Sequence, residues 1–197
     1  MSAHAEAHHG PPEAHKSSRV DAATLGMLLF IASEIMLFGS FFTAYFFIRV
    51  NGNAEWPLEP FELPKFVAGV NTAILVTSSF TIHWALQSIK RGSRAGLQAG
   101  LVLTLALGLT FLLTQVREYS RVGFSPHDGA FGTIFYGLTG LHGAHVFVGL
   151  TLLTFATVRA FRGHFTAAHH HGVEVPGIYW HFVDVMWIVV YATIYLL

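Results

Sequence analysis

Polar side chains stand three residues apart inside two strongly apolar stretches of this sequence. His142 and His145 form the first pair, and His181 and Asp184 form the second. Residues three apart lie on one face of a helix, so the members of each pair can act together. Because such groups are costly in hydrocarbon, they should face protein, water or lipid headgroups, which makes them the first candidates for chemistry.

A metal or haem site is one interpretation of His142 and His145, since helical ligand pairs use spacings of three or four. Small residues surround this pair: Gly140, Gly143 and Gly149. Small residues at helix interfaces usually permit close packing. We therefore favour structural packing and hydrogen bonding over metal ligation. The same interpretation applies to His181 and Asp184, with the imidazole oriented by the carboxylate of the next turn.

Glu34 is a carboxylic acid in the middle of an apolar run that reads F-I-A-S-E-I-M-L-F-G over residues 30–39. An ionised carboxylate there would be penalised by several kcal/mol unless it were paired or hydrated. Two interpretations stay open. Glu34 is either a proton-sensitive or lipid-facing acid beside a partner subunit, or a neutral acid hydrogen-bonded to a neighbouring helix.

The elements that must position these residues are membrane-spanning helices. The chain is 53% hydrophobic and 11% charged, against about 25% charged residues in a soluble domain. Five apolar segments reach the ~20 residues that a span needs; they are 22–50, 65–89, 95–116, 130–159 and 176–197. They are solidly apolar, whereas the strands of membrane barrels are short and alternate. The sequence therefore predicts an all-α, polytopic membrane protein.

The remaining composition limits the partners and the orientation. Residues 1–20 are polar and rich in histidine, which predicts a flexible tail before a membrane domain over 21–197. Most of the 11 lysines and arginines lie on the side of the amino terminus, so this terminus should be cytoplasmic and the carboxyl terminus outside. The net charge is zero and there are no cysteines. These facts give no support to a nucleic-acid partner and exclude disulfides, iron–sulfur clusters and thiolate zinc sites.

Cationic and polar side chains gather at the predicted cytoplasmic end of the fourth segment. The group consists of Arg159, Arg162, His164 and Thr166. Cations at that leaflet attract anionic lipid phosphates, so this is a candidate lipid-binding cluster. His83 and Trp84 form a second candidate, an interfacial or headgroup-binding pair. The triple histidine at 169–171 stands without the further histidine boxes that a membrane desaturase needs.

An ordered set of motifs extends across the chain after residue 20. The most specific are T-G-L-H-G-A-H-V at 139–146, H-F-T-A-A-H-H at 164–170 and Y-W-H-F-V-D-V-M-W at 179–187. Further matching stretches lie at 30–42, 70–79, 115–119 and 128–136. With this set of motifs the chain resembles subunit III of haem–copper terminal oxidases. It is most similar to the cytochrome c oxidase type, in a short form with five helices.

The resemblance implies an accessory subunit of a proton-pumping aerobic oxidase that reduces oxygen to water. The chain itself would hold no metal, no haem and no catalytic residue, and it would be an enzyme only as part of the complex. Haems and copper would lie in partner subunits. The implied partners are subunit I in direct contact, subunit II, a small subunit IV, phospholipids, and cytochrome c as substrate of the complex. The implied location is a bacterial-type plasma membrane.

The same resemblance implies a bundle with a lipid-filled, V-shaped cleft that supports oxygen access, proton uptake and durability of the catalytic site. Glu34 falls on the intramembrane glutamate of the family, near that cleft. The positions that hold an anionic lipid headgroup correspond to Arg159, Arg162, His164 and Thr166, while His83 and Trp84 match less closely. The chain has no room for the first two helices of the longer members, so another subunit could supply one wall of the cleft.

Other functions stay open from the sequence alone. Within the class, the alternatives are subunit III of a quinol oxidase and the related subunit of a nitric oxide reductase. Glu34 and the Trp56-Pro57 link favour the cytochrome c type. From another class, the alternative is a stand-alone, histidine-rich membrane metalloenzyme.

Overall fold

The structure is a computed structural model that describes residues 21–51 and 63–197. The described residues form five long helices: α1 Ala22–Asn51, α2 Lys65–Lys90, α3 Arg94–Tyr119, α4 Gly129–Phe161 and α5 His171–Tyr191. A wide terminal turn, Ala192–Leu196, continues α5. Each helix is long and apolar enough to cross a membrane. The prediction of an all-α protein with five spans is confirmed. The predicted tail at 1–20 and Trp56-Pro57 lie outside the described residues.

The start of the last helix differs from the prediction. The sequence placed it at Pro176, whereas α5 begins at His171 and contains the proline. The backbone N–H groups of Val173 and Glu174 both donate to the carbonyl of His170, at 2.9 and 3.2 Å, so the first turn closes before the proline. Because the proline lies near the helix start, its missing N–H removes only one hydrogen bond there.

α2 and α3 form a tight antiparallel hairpin. Gly92 in the connecting turn has φ +83°, a conformation that glycine adopts at little cost. The Ser93 hydroxyl accepts a hydrogen bond from the Gly96 N–H at 3.2 Å and so caps α3. Further along, a Cβ placed on Gly100 would lie 2.6 Å from Cβ of Ala85. The two backbones therefore approach more closely than any larger residue at this position would permit.

α5 is the central helix, since the largest share of its span is buried inside the bundle. Its two fully buried tryptophans bind α2 by their indole N–H groups. Trp180 donates to Ser78 Oγ at 2.8 Å, and Trp187 donates to Thr72 Oγ1 at 2.9 Å. Each bond satisfies a donor that has no water to bind in the bilayer core. The tryptophans therefore join α5 to α2 by packing and by hydrogen bonds together.

α1 is the most exposed helix of the bundle. It contacts α4 and α5, with Phe38 and Tyr45 as its buried residues. The Tyr45 hydroxyl donates to the carbonyl of Thr193 in the terminal turn at 2.6 Å. The opposite face of α1 is apolar and open; Met36, for example, is 78% exposed. In a membrane, lipid or another protein must cover this face.

The loop before α4 fixes where that helix starts. The Ser125 N–H donates to Asp128 Oδ2 at 2.6 Å, and this hydrogen bond holds the pKa of Asp128 below its usual range. The Tyr136 hydroxyl reaches back to the carbonyl of Phe124 at 2.9 Å. These bonds lie at the end of the bundle that carries the carboxyl ends of α1, α3 and α5. They hold the loop against the first turns of α4.

Substitution of Gly149 tests the seating of Trp180. A Cβ on Gly149 would lie 2.8 and 2.9 Å from two carbon atoms of the indole, closer than real contacts allow. We expect Gly149→Ala to destabilise the fold by about 1–3 kcal/mol, since overpacking forces such shifts. Gly143→Ala on the same helix is the matched control, because its Cβ would meet nothing within 4 Å. Thermal unfolding of the purified complex should separate the two variants, and equal melting would contradict the tight seating.

Candidate functional site

The intramembrane acid Glu34 on α1 is bound to His145 on α4. Its Oε2 lies 2.7 Å from His145 Nε2, and the two side chains are 15% and 11% exposed. The other ring nitrogen, Nδ1, lies 2.7 Å from the carbonyl oxygen of Leu141, one turn earlier on α4. The Phe38 ring packs beside the imidazole, with centroids 5.0 Å apart. A carboxylic acid, an imidazole and a backbone carbonyl thus form one line across the seam between α1 and α4.

The carbonyl of Leu141 determines how many protons this line holds. A carbonyl oxygen only accepts, so His145 Nδ1 must carry a hydrogen to make this contact. The short contact between Nε2 and Oε2 needs one further hydrogen. If the carboxyl group holds it, both side chains are neutral; if the ring holds it, they form an ion pair. In either state the net charge of the pair is zero, and burying a pair without net charge in hydrocarbon costs less free energy than burying a single charge.

His142 has a different environment from His145. It is fully buried and packs against Trp187, with centroids 4.8 Å apart, and against Phe111 at 5.7 Å. Among the residues that the structure describes, no group hydrogen-bonds either ring nitrogen of His142. The two histidines therefore face different helices, one packing inside the bundle and the other binding α1. This geometry does not bring them together as a ligand pair.

The second predicted pair, His181 and Asp184, is joined through a third residue. Ser79 Oγ on α2 lies 3.0 Å from His181 Nδ1 and also makes a very short hydrogen bond to Asp184 Oδ2. Asp184 is only 4% exposed. The sequence predicted a direct contact between imidazole and carboxylate; instead the serine hydroxyl lies between them. The three-residue spacing places His181 and Asp184 on one face of α5. The residue that connects them, Ser79, comes from α2, which packs against that face.

The candidate headgroup pair on α2 lies at the surface of the bundle. His83 is exposed and its Nε2 is 3.5 Å from Nε2 of Gln87. Trp84 is 49% exposed. Both side chains face outwards near the end of α2, as an interfacial pair should, but they do not meet the cluster at the end of α4.

The cationic cluster surrounds the carboxyl end of α4. Gly163, with φ +75°, reverses the chain there, and the His164 N–H donates to the carbonyl of Arg159 at 3.1 Å. The Arg159 guanidinium lies over the Phe165 ring at 5.2 Å. In the described part of the chain, no carboxylate forms an ion pair with Arg159 or Arg162. The exposed positive charges are therefore available to an anion from outside the chain.

Thr166 closes a small turn beside this cluster. Its backbone N–H and carbonyl exchange hydrogen bonds with the backbone of His169 at 3.2 and 3.1 Å, and its Oγ1 accepts from the His169 N–H at 3.2 Å. The turn leaves the His164 and Thr166 side chains exposed. It therefore presents them on the same side of the bundle as the two arginines.

No group of three or more histidine, aspartate and glutamate side chains within residues 21–51 and 63–197 is arranged to hold a metal ion. Two functional atoms were missed by the sequence analysis, the carbonyl oxygen of Leu141 and the hydroxyl of Ser79. The first lies four residues before His145, so the helical spacing could have found it. The second depends on how α2 packs against α5, which no local pattern reveals.

Comparison with known proteins identifies one family. Residues 6–197 match the family model for cytochrome c oxidase subunit III. Cytochrome c oxidase subunit 3 of Thermostichus vulcanus is 40% identical over 93% of this chain and 91% of its own length. The protein of that name from Oryctolagus cuniculus is 41% identical over 86% of this chain and 67% of its own length, and that from Cyprinus carpio is 40% identical over 96% and 73%. The chain belongs to the cytochrome c oxidase subunit III family. As a subunit III it is a multi-pass membrane protein and part of a complex with other oxidase subunits.

Substitution of Glu34 separates the need for a hydrogen bond from the need for a charge. In this subunit III, Glu34→Gln keeps one hydrogen bond to His145, because an amide can either donate or accept. Glu34→Leu leaves the ring nitrogen unpaired, which we expect to cost about 1–3 kcal/mol. The measurement is thermal dissociation of the subunit from the purified complex. An equal loss in both variants would show instead that the pair works through charge.

Proposed function

We propose that the chain is the accessory subunit III of a proton-pumping cytochrome c oxidase, in which it carries no redox centre and no catalytic residue. Electrons from cytochrome c pass through haem and copper centres in the partner subunits, and oxygen is reduced to water there. The chain contributes a helical surface and bound phospholipid. These support oxygen access, proton uptake and the durability of the catalytic site. The family membership supports this proposal, together with the geometry of the polar groups.

One observation carries the lipid-binding part of the proposal: within residues 21–51 and 63–197, the cationic cluster has no carboxylate as counterion. Arg159 and Arg162 are exposed beside His164 and Thr166, and the described residues offer them no carboxylate. Arginine binds phosphate through paired N–H donors, and Phe165 beneath Arg159 fixes the guanidinium in place. A phospholipid with an anionic headgroup fits this chemistry at a membrane surface. His83 and Trp84 add an interfacial contact for lipid at the neighbouring edge.

The open face of α1 is the part of the surface that we assign to other subunits and to lipid. It is the least buried span, and the Glu34–His145 pair lies at its seam with α4. Subunit I would pack on this face, with subunit II and a small subunit IV further out. The lipid-filled cleft then lies between this face and its neighbour. Glu34, as the cleft acid, would hold or release the proton that it shares with His145.

The orientation that we propose follows from charge. Lys90, Arg91, Arg94, Arg159 and Arg162 all lie at the end of the bundle where α1 begins. Positively charged ends of spans stay on the cytoplasmic side. The amino terminus is then cytoplasmic, the carboxyl terminus is outside, and the lipid-binding cluster faces the inner leaflet of a bacterial-type plasma membrane.

Purification of the complex through a tag on this chain tests the proposed role. We expect oxidase subunits I and II, haem and copper to accompany the chain, and the complex to oxidise cytochrome c. The chain expressed alone should contain no stoichiometric iron, copper or haem. Quinol oxidation without the electron-accepting copper centre of subunit II would contradict the cytochrome c assignment. Stoichiometric metal in the isolated chain would contradict the accessory role.

Removal of the two arginines tests the lipid site. We expect Arg159→Ala with Arg162→Ala to strip tightly bound anionic phospholipid and to shorten the turnover lifetime of the complex, with early turnover preserved. The matched control is Arg117→Ala with Arg121→Ala, a pair of exposed arginines at the opposite end of the bundle. Mass spectrometry of co-purified lipid and the decay of oxygen consumption are the measurements. Unchanged lipid content and lifetime would contradict the site.

A further inference from the structure

A cavity of about 170 Å³ lies between α2 and α5, apart from the Glu34–His145 pair and from the cationic cluster. Its polar lining consists of His83 on α2 and of Glu174 and His181 on α5, and Gly177 forms part of its wall. One water molecule needs about 10–15 Å³ of such space and two to four polar partners. The cavity therefore has room for water molecules, and three polar side chains in a mostly apolar lining can bind them.

The cavity extends along α5 from Val173 and Glu174 to His181, away from the first turn of that helix. At its outer end Lys90 Nζ lies 3.4 Å from Glu174 Oε1, close to the first residue of α5, His171. His181 lies ten residues further along the helix, which corresponds to ~15 Å. The hydrocarbon core is ~30 Å thick. The cavity thus connects the charged end of the bundle with a histidine near half depth.

His181 connects the cavity to a buried carboxyl group. Its Nδ1 lies 3.0 Å from Ser79 Oγ, so Nε2 is the ring nitrogen left for water in the cavity. Ser79 in turn binds Asp184 Oδ2. The second carboxyl oxygen, Oδ1, is buried and has no hydrogen-bond partner within the described residues. A buried carboxyl group with one unpaired oxygen lowers the stability of the fold. A purely structural role therefore does not explain an acid that is joined through Ser79 and His181 to a cavity.

The Ser79 hydroxyl can orient its hydrogen bond in either direction along this line. It has one hydrogen, so it can donate to Asp184 while accepting from His181, or donate to His181 while accepting from a protonated Asp184. A proton taken up at His181 Nε2 makes the ring cationic. The ring then gives its Nδ1 proton to Ser79 Oγ while Ser79 gives its own proton to Asp184 Oδ2. One proton has entered, one has reached the carboxylate, and the ring is neutral again.

We propose that the cavity between α2 and α5 is a hydrated proton inlet from the amino-terminal side of the membrane, and that Asp184 is its proton-storing end. The ligand of this site is water, and the cargo is a proton. The inlet gives the proposed support of proton uptake a defined route that does not involve Glu34. Its test is read at Asp184 rather than at turnover, so its failure would leave the accessory role standing.

Few other ionisable groups lie near this line. They are His83 on α2, His142 and His145 on α4, and Glu34 on α1, besides His181 on α5 itself. Among the described side chains, only His181 is joined to Asp184, through Ser79. His145 is committed to Glu34, and His142 packs among aromatic rings. Protonation of Asp184 should therefore follow the cavity rather than the α1–α4 pair.

Infrared difference spectroscopy of the intact complex tests the inlet. The carboxyl band of Asp184 is assigned as the one that disappears in Asp184→Asn and persists in Glu34→Gln. In the wild-type complex we expect this band to shift promptly on transfer to D₂O and to respond to bulk pH. Two variants interrupt the route without removing the acid. Gly177→Leu fills the cavity, since a Cβ there meets only Ile82, at 3.7 Å, and Ser79→Ala removes the bridging hydroxyl.

We expect exchange at Asp184 to slow by about 100-fold in both variants, the lower end of what a positioned proton-transfer group contributes. Gly143→Leu on α4 is the control and should exchange as fast as the wild type. Slow exchange in Ser79→Ala alone would support the relay even if Gly177→Leu failed to assemble. A band that never exchanges in the wild type would show a sealed structural cluster, and equal rates in all variants would show another route; either result overturns the inlet.

Discussion

The constraint on which this structure depends is the absence of water around a helix in hydrocarbon. Every polar side chain within a span must find its partner inside the bundle, on a neighbouring subunit, or in a hydrated cavity. Backbone groups meet this demand within each helix. Many serine and threonine hydroxyls bond a carbonyl of their own helix. Larger polar side chains bond a neighbouring helix, as Trp180 does with Ser78 and Trp187 with Thr72. The helices therefore pack together where their polar side chains can hydrogen-bond with one another.

This demand explains why α5 lies at the centre of the bundle. Two indoles, a carboxyl group and an imidazole on one helix all need hydrogen-bond partners. α2 supplies three hydroxyl groups that bind all four, and α4 supplies small residues such as Gly149 that let the Trp180 ring approach. α1 carries few groups of this kind apart from Glu34, which binds α4, and Tyr45, which binds the terminal turn. Its remaining surface is left for lipid and for other subunits.

The sequence predicts the helices well because the signal is local. An uninterrupted apolar run of sufficient length has no other stable form in a bilayer, and the motif set determines the family without knowledge of any contact. The partners of the polar residues are another matter. The pairing of Glu34 with His145 depends on how α1 crosses α4. The pairing of Asp184 with Ser79 depends on the rotation of α2 against α5, whereas the spacing within α5 alone indicates His181 as the partner.

The two carboxyl groups inside the membrane, those of Glu34 and Asp184, avoid an unpaired buried charge in different ways. Glu34 shares one proton directly with an imidazole whose other nitrogen is held by the Leu141 carbonyl, so the pair stays neutral without any hydration. Asp184 has a serine in place of the imidazole, and a serine has a single hydrogen to give. It cannot satisfy the carboxylate and the histidine as donor at once. Reversing the serine hydrogen bond therefore requires a proton to move between His181 and Asp184, and His181 lines the cavity.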